Sequence, residues 1–256
     1  MIICDVPFNR SDNSYNYYYL CHIREEVELQ IKKDLNRTFP ETIINLLPQN
    51  EIAKKEFALY KLLKSFAAND SEVNYCQGMN YIANFLLLMS DFNEVEAFYT
   101  MLTLFSSKFG VRGFYTQGFD LLNFYIYLFH YYLEERNPKL RYHFLTILEL
   151  DDQVWIGKWI MTLFTITFPF EIVTRIWDCL FVEGLDFLIK FSLALLAELE
   201  PIILKFNDTF DLIEFFKSLS PFDNSNLINE NSYFHDISFA NISKENNKVL
   251  LNFHEP

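Results

Sequence analysis

Apolar residues recur three and four positions apart along most of this chain, and nowhere does an alternating, period-two pattern persist. Residues at that spacing line up on one side of an α-helix, so the pattern calls for a helical fold. Leu20, Ile23, Val27, Ile31 and Leu35 make one stripe, Ala53, Phe57, Tyr60, Leu63 and Ala67 a second, and Val95, Phe98, Leu102, Phe105 and Phe109 a third. The run from Phe187 to Phe206 reads as a longer helix that Pro201 bends or ends, because proline lacks an N–H and clashes with the preceding turn. Another helix begins near Pro169, tolerated in a first turn, and stops at Gly184. The alternative lacks its turn residues: 6 Gly and 8 Pro are too few for a sandwich or barrel of many short hairpins.

No stretch repeats at a solenoid period, so the helices are expected to share one core in a heterogeneous all-α domain. With 51% apolar and 18% aromatic residues over 256 positions, there is material enough for that core. A short segment over residues 1–14 precedes the domain, which occupies 15–220. Residues 221–256 form a polar, Asn/Ser-rich tail through Asn224-Ser225-Asn226 and Asn229-Glu230-Asn231-Ser232.

Charge narrows the classes of partner. A formal net charge of −13, from 21 basic and 34 acidic residues, argues against nucleic acid, which is bound by a Lys/Arg surface that displaces counterions. An anionic membrane would repel the chain as well. Cys4, Cys21, Cys76 and Cys179 lie far apart without CxxC spacing, which fits reduced cytoplasmic thiols better than a zinc knuckle or a disulfide framework. The N-terminus has no basic segment followed by an apolar stretch, so no secretory signal is expected. The most apolar segments, Leu121 to Leu133, Trp159 to Phe170 and Phe187 to Leu199, fall short of the roughly 20 residues of a membrane span. His22, His130, His143, His235 and His254 show no metal-ligand spacing and neighbour no nucleophile, so neither a metal site nor an intrinsic hydrolytic site is expected. A GxxxxGK[ST] loop is absent too, so the chain should not bind a nucleotide alone.

Two segments carry the informative polar chemistry. In Ile31-Lys32-Lys33-Asp34-Leu35-Asn36-Arg37-Thr38-Phe39-Pro40, the proline drives the chain out of helical geometry and leaves Arg37 projecting from a helix C-terminal end. Asp34, three residues earlier on the same face, is placed to hold the guanidinium by a charge-assisted hydrogen bond. Taken alone, such an arginine is most often a solvated residue in a marginal ion pair. In Asn74-Tyr75-Cys76-Gln77-Gly78-Met79-Asn80-Tyr81, Gly78 permits a close backbone approach and the helix that follows fixes the loop. The Gln77 amide is left able to donate and accept.

Together these segments resemble the TBC family. Ile31-x-x-Asp34-x-x-Arg37-Thr38-Phe39-Pro40 is similar to its arginine-finger motif. Tyr75-x-Gln77, followed by Gly78-Met79-Asn80, is similar to its glutamine-finger motif. Downstream, Trp159 to Phe164, Arg175-Ile176-Trp177-Asp178 and Phe181-Val182-Glu183-Gly184 resemble a third signature in the family's order, so the likeness spans roughly Ser14 to Leu204.

The resemblance implies an all-α, V-shaped domain that acts on a Rab-type small GTPase in its GTP-bound state. Arg37 and Gln77 would be the catalytic fingers, and Ile31, Asp34, Thr38, Pro40, Tyr75, Gly78, Met79 and Asn80 would support them. The glutamine would do the work of the one the GTPase carries itself. It implies no cofactor of its own, only the GTP and Mg held by the partner, and no enzymatic activity without that partner. Cytoplasmic localisation with recruitment to endomembranes through the GTPase would follow. A catalytically silent module that only docks on such a GTPase is the competing reading, and the presence of both Arg37 and Gln77 speaks against it.

Trp155, Trp159 and Trp177 read as core anchors within apolar helices, and Asp178 as an ion-pair or capping partner beside Arg175. One departure is visible: the family's Arg-x-x-Trp-like element has no counterpart among the 36 residues before Arg37, which include no tryptophan. It bears on the packing around Leu20 to Leu35 more than on the fingers.

Overall fold

In a computed structural model, residues 12–39, 48–152 and 154–219 are described, and every regular element among them is helical. The chain divides into two units, where the lack of a repeat suggested one core. Periodicity tells which face of a helix is buried, not which neighbour buries it.

The first unit comprises residues 1–121 together with 161–166. Its helices are α1 (Asp12–Leu20), α2 (Glu25–Leu35), α3 (Gln49–Asn69), α4 (Met79–Met89) and α5 (Glu94–Phe105), followed by a 3-10 turn over Val111–Phe114. The central helix is α3, against which α1, α2, α4 and α5 all pack. Its buried face is Ile52, Leu59, Leu62, Leu63, Phe66 and Ala67. The expected stripe was therefore rotated: Ala53 is exposed and Phe57 is 53% exposed, because Leu59 and Leu62 are the residues that meet neighbours.

The stripe from Leu20 to Leu35 is not one helix either. Leu20 ends α1 at 79% exposure, Ile23 is buried in the connection, and only Val27 and Ile31 belong to the buried side of α2. Arg24 stands extended ahead of α2, and no glycine or proline marks the break. Near its first turn α1 is tied down by Tyr15, whose ring lies 5.3 Å from that of Phe98 and whose hydroxyl donates to Glu94 at 2.9 Å. Of the third stripe, Phe98 and Phe105 are buried on α5, Val95 and Leu102 are half-buried at its margin, and the helix ends short of Phe109.

The second unit comprises residues 122–160 with 167–256. It contains most of α6 (Asp120–Arg136), then α7 (Pro138–Tyr142), a π-helical turn at His143–Ile147, α8 (Ile156–Met161) up to Ile160, α9 (Phe170–Glu183), α10 (Asp186–Ile203) and α11 (Thr209–Ser218). Trp155 anchors it, with ring centroids of Phe129, Phe144, Trp159 and Phe216 all within 5.6 Å. All three tryptophans are buried as expected, but Trp155 sits in the turn ahead of α8 and not within a helix. The helix from Pro169 to Gly184 is as read: Pro169 caps it and Gly184, at φ 79°, ends it.

Pro201 does not stop α10, which continues to Ile203. The proline forfeits one hydrogen bond inside the last turn, and the helix outlasts it by two residues. Asp178 is corrected as well: it lies exposed in the middle of α9 and makes no ion pair among the described residues. Exposed to solvent, it gains little from an ion pair that water would screen.

Candidate functional site

α2 ends at Leu35, and the chain continues as a turn in which the Arg37 N–H bonds the Asp34 carbonyl at 3.3 Å and the Thr38 N–H that of Leu35 at 3.1 Å. Arg37 thus leaves the helix end as its spacing before the proline predicted; Pro40 itself lies outside the described residues. The Thr38 hydroxyl closes the helix end by donating to the Asp34 carbonyl at 2.6 Å. Carbonyls in the last turn lack the usual partner four residues on, and here the hydroxyl adds a shorter bond to the long one from the Arg37 N–H.

Asp34 is fully buried, which for a carboxylate requires compensation. It has three partners. Arg37 Nη2 lies 2.5 Å from Oδ1, the Tyr75 hydroxyl donates to Oδ2 at 2.5 Å, and the Gln30 amide reaches both oxygens at 3.3 Å. The arginine side chain stays 47% exposed while its partner carboxylate is almost inaccessible, so one end of the guanidinium is fixed and the rest faces solvent. Burial, then the Asp34 hydrogen bond and charge, push the Tyr75 hydroxyl well above its ordinary value. It therefore remains a proton donor to Asp34 throughout the physiological range.

The glutamine segment enters the same cluster from the other side. Gly78 precedes α4 with φ 108°, a conformation open to glycine and strained for any residue with a Cβ. Asn80, fully buried in the first turn of α4, accepts from the Gly78 N–H at 3.1 Å and donates through Nδ2 to the Thr38 hydroxyl at 2.8 Å. One amide thereby joins the two segments. Its chain of donors runs from Asn80 through Thr38 to the Asp34 carbonyl, and each bond polarises the next. The Tyr81 hydroxyl adds a longer contact to the Arg37 carbonyl at 3.4 Å. Met79 is buried, with its sulfur accepting from the Cys76 N–H at 3.4 Å. Ile31 is buried on α2 beneath the cluster, and Gln77 itself is exposed on the loop.

Of the ten residues read as a site, the nine that are described fall in or beside this one cluster. Two further members escaped the sequence reading. Gln30 was within reach of it, four residues before Asp34 on the same helical side. Tyr81 carried no such signal, because its partner is 44 residues away.

Fold and cluster define a class: an all-helical domain in which one buried hydrogen-bonded knot presents an exposed arginine and an exposed glutamine. Residues 6–204 match the model of the Rab-GTPase-TBC domain, RabGAP-TBC. The chain belongs to that family. It is 32% identical over 200 residues to the GTPase-activating protein GYP5 of Eremothecium gossypii, covering 77% of this chain and 23% of that protein. It is 31% identical over 192 residues to the Rab GTPase-activating protein eat-17 of Caenorhabditis elegans, covering 74% and 21%.

The crystal structure of the Chlamydomonas flagellar RabGAP TBC domain superposes with a TM-score of 0.68 at 25% identity, covering 82% of this chain and 67% of that one. The Ypt/Rab-GAP domain of Gyp1p superposes at 0.69 with 16% identity, covering 93% and 77%, and supports the fold. The chain spans about a fifth of the length of these curated relatives. Among the described residues, no helix is long and apolar enough to cross a membrane.

Proposed function

We propose that this chain is a GTPase-activating protein for a Rab-type small GTPase in its GTP-bound state, with Arg37 and Gln77 as fingers inserted in trans. The observation that carries the reading is the knot itself: Asp34, Tyr75, Thr38 and Asn80 spend their hydrogen bonds on holding two segments whose outward residues are an arginine and a glutamine. Phosphoryl transfer to water asks little covalent chemistry of a protein. It asks for positioning and for charge to meet the negative charge on the phosphoryl oxygens.

A guanidinium supplies that charge with several donors in a plane, and an amide that both donates and accepts can orient the attacking water. The GTP and its Mg belong to the partner, and the chain contributes side chains only. Encounter would take place in the cytoplasm, on endomembranes wherever the GTPase is anchored, and the chain's acidic balance would favour a partner with a basic face.

GTP turnover by a panel of purified Rab-type GTPases, with and without this chain, tests the reading. At least one member should hydrolyse GTP faster by about 10³-fold or more. Tight binding of a GTPase in its GTP-bound state with no acceleration would leave a docking module in place of an activator.

A further inference from the structure

The loop that carries Gln77 is held from a second direction, by residues outside both finger motifs. Asp70 to Asn74 form a tight turn: the Asn74 N–H bonds the Asp70 carbonyl at 2.7 Å, and Asn74 is buried in the left-handed region at φ 56°. The Asp70 carboxylate accepts the Val73 N–H at 3.1 Å. Onto this carboxylate Arg112, from the 3-10 turn, closes a two-pronged contact, Nε to Oδ2 at 2.6 Å and Nη2 to Oδ1 at 3.1 Å. The same Nη2 reaches Glu72 at 2.6 Å. Burial pushes the Asp70 carboxyl up, but the Arg112 and Val73 hydrogen bonds outweigh it and hold the group below its ordinary value.

Three residues on from Arg112, Tyr115 follows directly on this turn and stands near the other end of the loop. The ring of Tyr115 stacks on Phe105 at 5.4 Å, its hydroxyl donates to the Met161 carbonyl, and its oxygen lies 3.8 Å from where a Cβ on Gly78 would stand. Residues 111–115 therefore grip the segment before Gln77 through Arg112 and stand close to Gly78, just after it, through Tyr115.

We infer that the 3-10 turn is the strut of the glutamine finger and that Arg112 is a positioning residue, acting on the reaction only through Gln77 by clamping Asp70 and Glu72. The inference rests on the reading of Gln77 proposed above. Arginine suits the task because two carboxylates separated by one residue are reached together by a rigid fork of donors, which an ammonium does not match.

Two measurements on the full chain decide it. The first needs no GTPase: amide exchange in Arg112→Met should rise about tenfold or more at Val73, Asn74 and Gly78, with the Arg37 and Thr38 amides unchanged. Unaltered exchange in the 70–78 loop, or an equal rise at every amide, overturns the strut. The second uses a responsive GTPase. Arg112→Met should lower the maximal stimulated rate by about ten- to a hundredfold with KM changed less than about twofold, Arg112→Lys should recover part of it, and in a Gln77→Ala background Arg112→Met should cost less than about twofold more. Full stimulation by Arg112→Met, or the same loss in both backgrounds, overturns the inference. Failure of the unaltered chain to stimulate any GTPase instead defeats the reading of Gln77, while the exchange measurement still decides the clamp.

Discussion

Asp34 is the residue whose cost explains the site. A fully buried carboxylate is tolerated only with its charge and lone pairs engaged, and here it engages Arg37, Tyr75 and Gln30 at once. Arg37 is half exposed, but among the described residues it is the one cation on this buried carboxylate, and Tyr75 and Gln30 offset its loss only in part. Arg37→Ala should therefore cost about 1 to 3 kcal/mol in urea unfolding. Stimulated GTP hydrolysis should fall by about 10³ to 10⁵. Arg37→Lys should recover little, since an ammonium lacks the planar set of donors. An arginine acting only as a structural ion pair would show the same loss of stability with stimulated hydrolysis retained under conditions where the variant is folded.

Gly78 is the companion case on the other segment. A Cβ there would meet its nearest neighbours no closer than 3.7 Å, so space is not the obstacle; the positive φ is. Gly78→Ala should lower stability by about 1 to 3 kcal/mol and should impair stimulation as severely as loss of Gln77. A variant with unchanged unfolding and full activity would show that the loop tolerates another conformation.

What was legible at this scale was what lies close along the chain. Asp34 and Arg37 are three apart on one helix end, and their pairing follows from that spacing. The Tyr75 bond to Asp34 joins residues 41 apart, and no local rule places it. The motif resemblance supplied the grouping that spacing could not.

At the scale of elements, helix type was readable almost throughout and helix register less so. Stripes of apolar residues in α3 matched several rotations about equally, and packing against α1, α2, α4 and α5 chose the one with Leu59 and Leu62 inward. The break between α1 and α2 has no glycine or proline to announce it, so a stripe that ran on in the sequence did not run on in space. Ends with a chemical signal were read correctly, as at Pro169 and Gly184.

The caps give a test confined to an element. The Asp208 side chain accepts the N–H groups of Phe210 at 2.7 Å and Asp211 at 3.2 Å at the start of α11. Asp208→Ala should cost about 1 kcal/mol in denaturant unfolding and leave stimulated hydrolysis as it was, since α11 belongs to the unit without the finger segments. A loss of activity at unchanged stability would mean that α11 takes part in the partner's recognition.

For the whole molecule, composition and periodicity were enough for an all-helical class, and the order of the motifs for the family. The division into two units was not visible, because a segment as short as residues 161–166 joins the first unit from far along the chain. Nor was Arg112, which stands more than thirty residues beyond the loop it holds. An isolated arginine in a glycine-bounded turn carries no linear sign of the carboxylates it will meet.

The central claim is that both fingers come from this chain, and the most direct measurement of it is single-turnover GTP hydrolysis by a responsive Rab-type GTPase whose own switch glutamine has been replaced by alanine. If Gln77 orients the water, the unaltered chain should still accelerate that GTPase by about 10³-fold or more. Arg37→Ala and Gln77→Ala should each abolish the acceleration while still binding the GTP-bound partner. Loss of all stimulation when the GTPase lacks its glutamine, or full stimulation by Gln77→Ala, would contradict the account.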